Sequence, residues 1–156
     1  MIEVDILYKE KRWNEYRLIN QESVNQVFQV AFEELSLGEK NQEIECSLVL
    51  TDDLDIKEYN KKYRGNSKPT NTLSFPVDGM TSDKIVNLGD IFISLDTIKK
   101  ESSEHSKNFY DHFFHLLLHS VLHLIGYDHE TDPEQKKMEE LEIKILKKLG
   151  VKNPYE

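Results

Sequence analysis

Residues 108–125 constrain the fold most, because their apolar side chains fall nearly all round a helical wheel. Phe109, Phe113, Phe114, Leu116, Leu117, Leu118, Val121, Leu122, Leu124 and Ile125 leave no polar face to offer water. A helix of that kind runs through the interior of a protein, with other elements packed around it. Yet the same stretch carries His112, His115, His119 and His123. Each buried imidazole without a partner costs about 1–3 kcal/mol, so several on one central helix demand an explanation. A shared metal ion supplies one.

His119 and His123 lie one helical turn apart, so their rings leave the same face roughly 6 Å apart along the axis. Gly126 can adopt the positive φ that ends a helix, and His129 follows three residues later, placed to fold back as a third donor. Three imidazole nitrogens leave one tetrahedral position of zinc open, the arrangement of a catalytic site rather than a structural one. The zincin-like H-x3-H-x5-H spacing therefore predicts one Zn2+ per chain on His119, His123 and His129. His112 and His115 lack the glycine turn and the third histidine, so they are expected to pack or to support the ligands from behind. The spacing also matches the long zinc signature of metalloproteases, except that Ser120 stands where their general-base glutamate belongs. A serine cannot take a proton from water at neutral pH, which weakens a peptidase reading. Zinc held by neutral histidines can itself lower the pKa of water to about 7. Asp128 is expected first to cap the turn, and second to orient an imidazole or accept a proton.

Periodicity sets out the other elements. Ile2, Val4, Ile6 and Tyr8 alternate as in a half-buried strand over 2–8. Val24, Val27, Phe28, Ala31 and Leu35 follow helical spacing, with Ser23 and Gln26 as a capping box and Gly38 as the stop. A strand over 44–51 places Ile44, Cys46, Leu48 and Leu50 on one face. Asp52 or Asp53 caps a short helix through Tyr63, closed by Gly65. Strands at 71–76 and 88–94 flank a polar loop with Asp78, Gly79 and Ser82, and 95–106 is helical. In the last helix Asp132 precedes Pro133 at the first helical position. Met138, Leu141, Ile145 and Leu149 form its apolar stripe, Lys147 and Lys148 suit its C-terminal dipole, and Gly150 ends it. Strands and helices in an order that does not strictly alternate predict an α+β fold, a small mixed sheet of about four strands packed with helices. At 156 residues the chain suits a single domain.

Charge bears on the partner. Acids outnumber bases 29 to 20, a net charge of −9 that repels nucleic acid unless the bases cluster. They do cluster: residues 57–68 hold five bases and one acid. Lys61, Lys62, Arg64 and Lys68 are the expected phosphate-backbone contacts, with Arg64 foremost because its planar fork can grip two phosphate oxygens. Tyr59 and Tyr63 are expected on the buried face of their helix, with base stacking as the alternative. The run Glu130–Glu142, six acids and two lysines, reads as a solvated helix face first and a protein-docking face second. Cys46 is the only cysteine and belongs in the core; one thiol forms no internal disulfide, which suits a reducing cytoplasm. The first 15 residues show no signal-peptide pattern and no apolar run would span a bilayer, so a cytoplasmic protein without membrane attachment is expected.

Taken together, Tyr63 to Pro76, then Leu88 to Ser94, then His119 to His129 resemble the YbeY family of bacterial endoribonucleases, the rRNA maturation factors. The resemblance implies an α+β fold, zinc on His119, His123 and His129, and Arg64 and His119 as residues needed for catalysis. It implies cleavage of single-stranded RNA, ribosomal RNA 3′-end processing, ribosome quality control, and contact with the small subunit and its assembly proteins. Family members usually carry glycine where this chain has Ser120. Three rival readings are a non-catalytic, zinc-containing ribosome assembly factor, a zinc peptidase, and a nucleic-acid-binding module without metal.

Overall fold

The computed structural model describes residues 1–39, 41–77 and 84–156. In chain order these form β1 (Ile2–Tyr8), a 3-10 turn (Lys11–Glu15), α1 (Gln21–Glu34), β2 (Glu43–Thr51), α2 (Asp53–Arg64), β3 (Thr72–Pro76), β4 (Ile85–Ser94), α3 (Leu95–Glu104), α4 (Phe109–Ile125) and α5 (Asp132–Lys148). The expected polar loop with Asp78, Gly79 and Ser82 lies outside the described residues.

The sheet has the order β1-β2-β4-β3. β1, β2 and β4 run parallel, while β3 is an antiparallel edge strand on β4. This is the α+β arrangement with a mixed four-stranded sheet that the irregular order of strands and helices predicted. Successive strand residues face opposite ways, and the packing follows. Ile44, Cys46, Leu48 and Leu50 of β2 and Ile91 and Ile93 of β4 join a large core with α1, α4 and α5. Val49 and Phe92 face the other way and meet Ile56 of α2 and Leu73 of β3 in a smaller cluster. α4 lies in the larger layer, and Phe113, Leu117, Leu118, Val121 and Leu122 have no exposed surface. Trp13, in the 3-10 turn that periodicity does not reveal, packs against Phe113 and donates its indole N–H to Thr51 O at 2.9 Å. Cys46 is buried, and burial together with the charge of Asp90 pushes its thiol up to about 12.

Several helix ends differ from expectation by a few residues. α1 is capped by Asn20, which exchanges reciprocal hydrogen bonds with Ser23, not by a Ser23–Gln26 box. Asn20 wins because its extended backbone lets its amide oxygen reach the third helical N–H. The helix has already ended at Leu35, with Ser36 at φ 52°, before Gly38. Thr131 caps α5, so Pro133 stands second in the helix rather than first. α2 matches expectation: Asp52 accepts from Asp55 N at 2.9 Å, and Gly65 at φ 67° closes it.

Gly89 marks where β3 and β4 approach too closely for a side chain. Its φ is 117°, and a Cβ there would lie 2.1 Å from Phe75 O. The obstacle is backbone and cannot rotate away. Gly89→Ala is therefore expected to lower stability by about 2–5 kcal/mol, the sum of a strained φ and an overpacked contact. Urea unfolding measures this, and a loss under about 1 kcal/mol would contradict the close approach.

Candidate metal centre

α4 is aligned at its start by Asn108, whose side chain accepts from Asp111 N at 3.2 Å. It ends at Gly126, where φ is 119° and the N–H bonds back to Leu122 O and His123 O. This reversal brings His129 back against the last two turns of the helix. Asp128 Oδ1 accepts the His129 N–H at 2.8 Å, so the turn-capping role expected of it is realised. Ring centroids of His119, His123 and His129 then lie 4.6, 5.0 and 5.4 Å apart in pairs. One nitrogen from each comes within 4.8 Å of the other two.

The donor set fits a metal ion. His119 Nε2 and His123 Nε2 are 3.0 Å apart. Two nitrogens of a tetrahedral zinc, each at 2.0–2.1 Å, would be separated by about 3.3 Å. Burial, reinforced by the neighbouring His119 and His129, lowers the pKa of His123 and favours the neutral ring that a metal requires. His119 uses its other nitrogen differently. Nδ1 lies 2.7 Å from Glu142 Oε2, which fixes that nitrogen as donor and leaves the Nε2 lone pair toward His123 and His129.

Glu142 is the site residue that sequence reasoning missed. It falls in the acidic run expected to be solvated, yet it has no exposed surface. Oε1 receives His115 Nε2 at 3.3 Å and the hydroxyl of Tyr155. Burial opposes its ionisation, but the hydrogen bonds from His115 and His119 prevail and hold its pKa at about 2. A signal existed: Glu142 interleaves with Met138, Ile145 and Leu149 at helical spacing, on the inner stripe of α5. His115 supports the ligands from behind, as expected. His112 bonds Glu101 Oε1 at 3.0 Å, and Glu101 also accepts from Asn71 Nδ2 at 3.1 Å. Ser120 is fully buried with its Oγ 2.7 Å from Thr72 Oγ1, a strut between α4 and the edge strand.

The histidines line a cleft of about 830 Å³ together with Arg64, Lys68, Asn71, Thr72 and Ser74. Arg64 donates from Nη2 to Ser74 O at 3.2 Å, with its guanidinium 5.9 Å from the Phe75 ring centre. Asn60, a second missed residue, is buried and donates to Lys68 O at 2.8 Å, pinning the segment that carries Lys68. Lys61 and Lys62 are exposed and stand outside the cleft lining, Lys62 over the ring of Tyr63. Tyr59 packs on Phe92 as expected of a buried face, whereas Tyr63 is 56% exposed. The Tyr63 ring rests on Tyr59 and on Phe75 of the edge strand, and its other side is open to solvent.

The sequence profile described as "Endoribonuclease YbeY" matches residues 8–150. The chain belongs to the YbeY endoribonuclease family. An Endoribonuclease YbeY of Bartonella henselae is 40% identical over 157 residues, covering 99% of this chain and 98% of its own. That of Rhizobium etli is 48% identical over 114 residues, covering 72% of this chain and 67% of its own. The solution structure of TM1509 from Thermotoga maritima superposes with a TM-score of 0.60 at 21% identity, covering 95% of this chain and 92% of that one. At that identity the likeness concerns the fold.

In this YbeY-family chain the buried carboxylate has a measurable consequence. The folded pKa of Glu142 lies below its ordinary 4.5, so its ionised form stabilises the fold above that pH. The contribution disappears as pH falls from about 4.5 toward 2. In metal-free buffer, Glu142→Gln is expected to flatten the pH dependence of stability across this window and to converge on wild type near pH 2. Urea midpoints at stepped pH test this; parallel curves for the two proteins would refute it.

Proposed function

We propose that residues 1–156 act as a single zinc-dependent endoribonuclease domain that cuts single-stranded RNA, with ribosomal RNA 3′-end maturation and ribosome quality control as its task. Family membership supports the activity. The observation that carries the reading is that Arg64 and the three imidazoles line one open cleft. His119, His123 and His129 hold the ion. Bound there, Zn2+ supplies Lewis acidity and lowers the pKa of water to about 7. Nickel or copper would accept the same ligands.

The chain's own groups do the rest. Glu142 fixes the His119 tautomer and ring plane, giving His119 its place as a catalytic ligand. Arg64 offers a planar fork toward the cleft and would stabilise the charge that grows on a five-coordinate phosphorus. Lys68 on the cleft wall, with Lys61 and Lys62 outside it, extends the positive surface along which an RNA backbone would run. Against a net charge of −9, these local charges must provide the attraction, so binding should weaken steeply with salt. The partners in this reading are ribosomal RNA, the small ribosomal subunit and its assembly proteins, in the cytoplasm. No described helix is long and apolar enough to cross a membrane.

A peptidase reading loses ground because Ser120, at the base position, is buried and engaged with Thr72. The metal-free binding module does not account for three imidazoles gathered around one point. Arg64→Ala is expected to retain stoichiometric zinc while its rate on single-stranded RNA falls roughly 100-fold or more, the loss typical of removing a group that stabilises transition-state charge. His123→Ala should lose both metal and cleavage. Elemental analysis beside a cleavage assay on highly purified protein reads both. Equal cutting by all three proteins would mark the activity as a contaminant and favour the non-catalytic assembly factor. The product ends add mechanism: a 2′,3′-cyclic phosphate would mean that the RNA's own 2′-hydroxyl attacks.

A further inference from the structure

The family profile ends at residue 150, yet the segment beyond it returns to the metal centre. Val151 N bonds Leu146 O at 2.9 Å, and Lys107 Nζ donates to Pro154 O at 3.2 Å. These bonds carry Tyr155 to the wall of the cleft, where its hydroxyl donates to Glu142 Oε1. Its ring stands edge-on to His115, with centroids 5.5 Å apart at 81°. A segment following a last helix ordinarily frays unless something ties it down. Here the tie ends on the carboxylate that orients His119.

The accounting at Glu142 shows what the hydroxyl contributes. Oε2 has one strong donor, His119 Nδ1 at 2.7 Å. Oε1 has two, the imidazole of His115 at 3.3 Å and the hydroxyl of Tyr155. A fully buried carboxylate needs both oxygens satisfied. Without the hydroxyl, Oε1 would keep only the longer His115 bond, and the carboxylate plane, with the His119 ring bonded to it, would be held less firmly.

We infer that Tyr155 is a positioning residue of the metal centre, holding Glu142 so that His119 presents Nε2 to the ion. The inference rests on zinc binding at His119, His123 and His129. Loss of an outer partner of a metal-ligating histidine typically weakens metal binding 10–100-fold. Tyr155 stands one hydrogen bond further out, so a loss of roughly three- to tenfold is expected. The test is competition between a chromophoric chelator and wild type, Tyr155→Phe, Glu142→Gln and the double variant for Zn2+, with circular dichroism to verify that each is folded.

Tyr155→Phe should bind Zn2+ more weakly by that factor, and should add nothing once Glu142 is glutamine, because the hydroxyl acts through the carboxylate. Wild-type affinity in Tyr155→Phe, or a full additional loss on top of Glu142→Gln, overturns the inference while leaving the metal site intact. Wild-type protein that takes up no zinc at all would instead defeat the functional reading, and this inference with it.

Discussion

Glu142 has no exposed surface, and an isolated carboxylate in such a place would be driven to its neutral form. It stays ionised because His115, His119 and Tyr155 converge on its two oxygens. Those bonds join α5 to α4 and to the segment at residue 155. They also dictate which nitrogen of His119 remains free. Replacing such a group with an apolar residue can leave stability unchanged or improved, whereas removing one partner alone is costly. The charge is therefore best understood through what it does for the ligand set, not through what it adds to the core.

The site sits where two kinds of packing meet. α4 is committed to the interior by its apolar faces, but its last turns emerge beside β3, the antiparallel edge strand. Ser120 and Thr72 join these two elements directly, and Arg64 reaches the same strand at Ser74 O. An edge strand leaves room for an open cleft alongside it, which a central strand could not. Gly89 lets β3 lie closely on β4 and so helps set the position of that wall. The cleft thus brings the three imidazoles together with the cations Arg64 and Lys68.

Much of this was legible in the chain. The alternation in 2–8 and 44–51, the all-round apolar helix at 108–125 and the glycine turn at 126 each have a local physical cause, so the elements follow from short-range rules. The histidine spacing is local too: one turn of helix and one tight turn bring three rings together whatever surrounds them. Glu142 escaped because its histidine partners are 23 and 27 residues away, and Tyr155 because its hydroxyl meets Glu142 only where the segment after α5 folds back over 13 residues. In the sequence Glu142 is one acid in a charged run, and only the docking of α5 against α4 distinguishes it from its solvated neighbours. The basic segment was visible as a cluster. Which of its members face the histidines depended on how α2 and the loop after it lie against β3.

The sequence by itself determined the helices, the strands, the core stripe and the three imidazoles, because backbone periodicity and turn chemistry act over a few residues. Tertiary structure alone decided which carboxylate is buried, which cation enters the cleft and which face of the sheet each helix covers. Those outcomes depend on desolvation and hydrogen bonding between distant segments, and burial is a property of the packed assembly, not of any residue's neighbours in the chain.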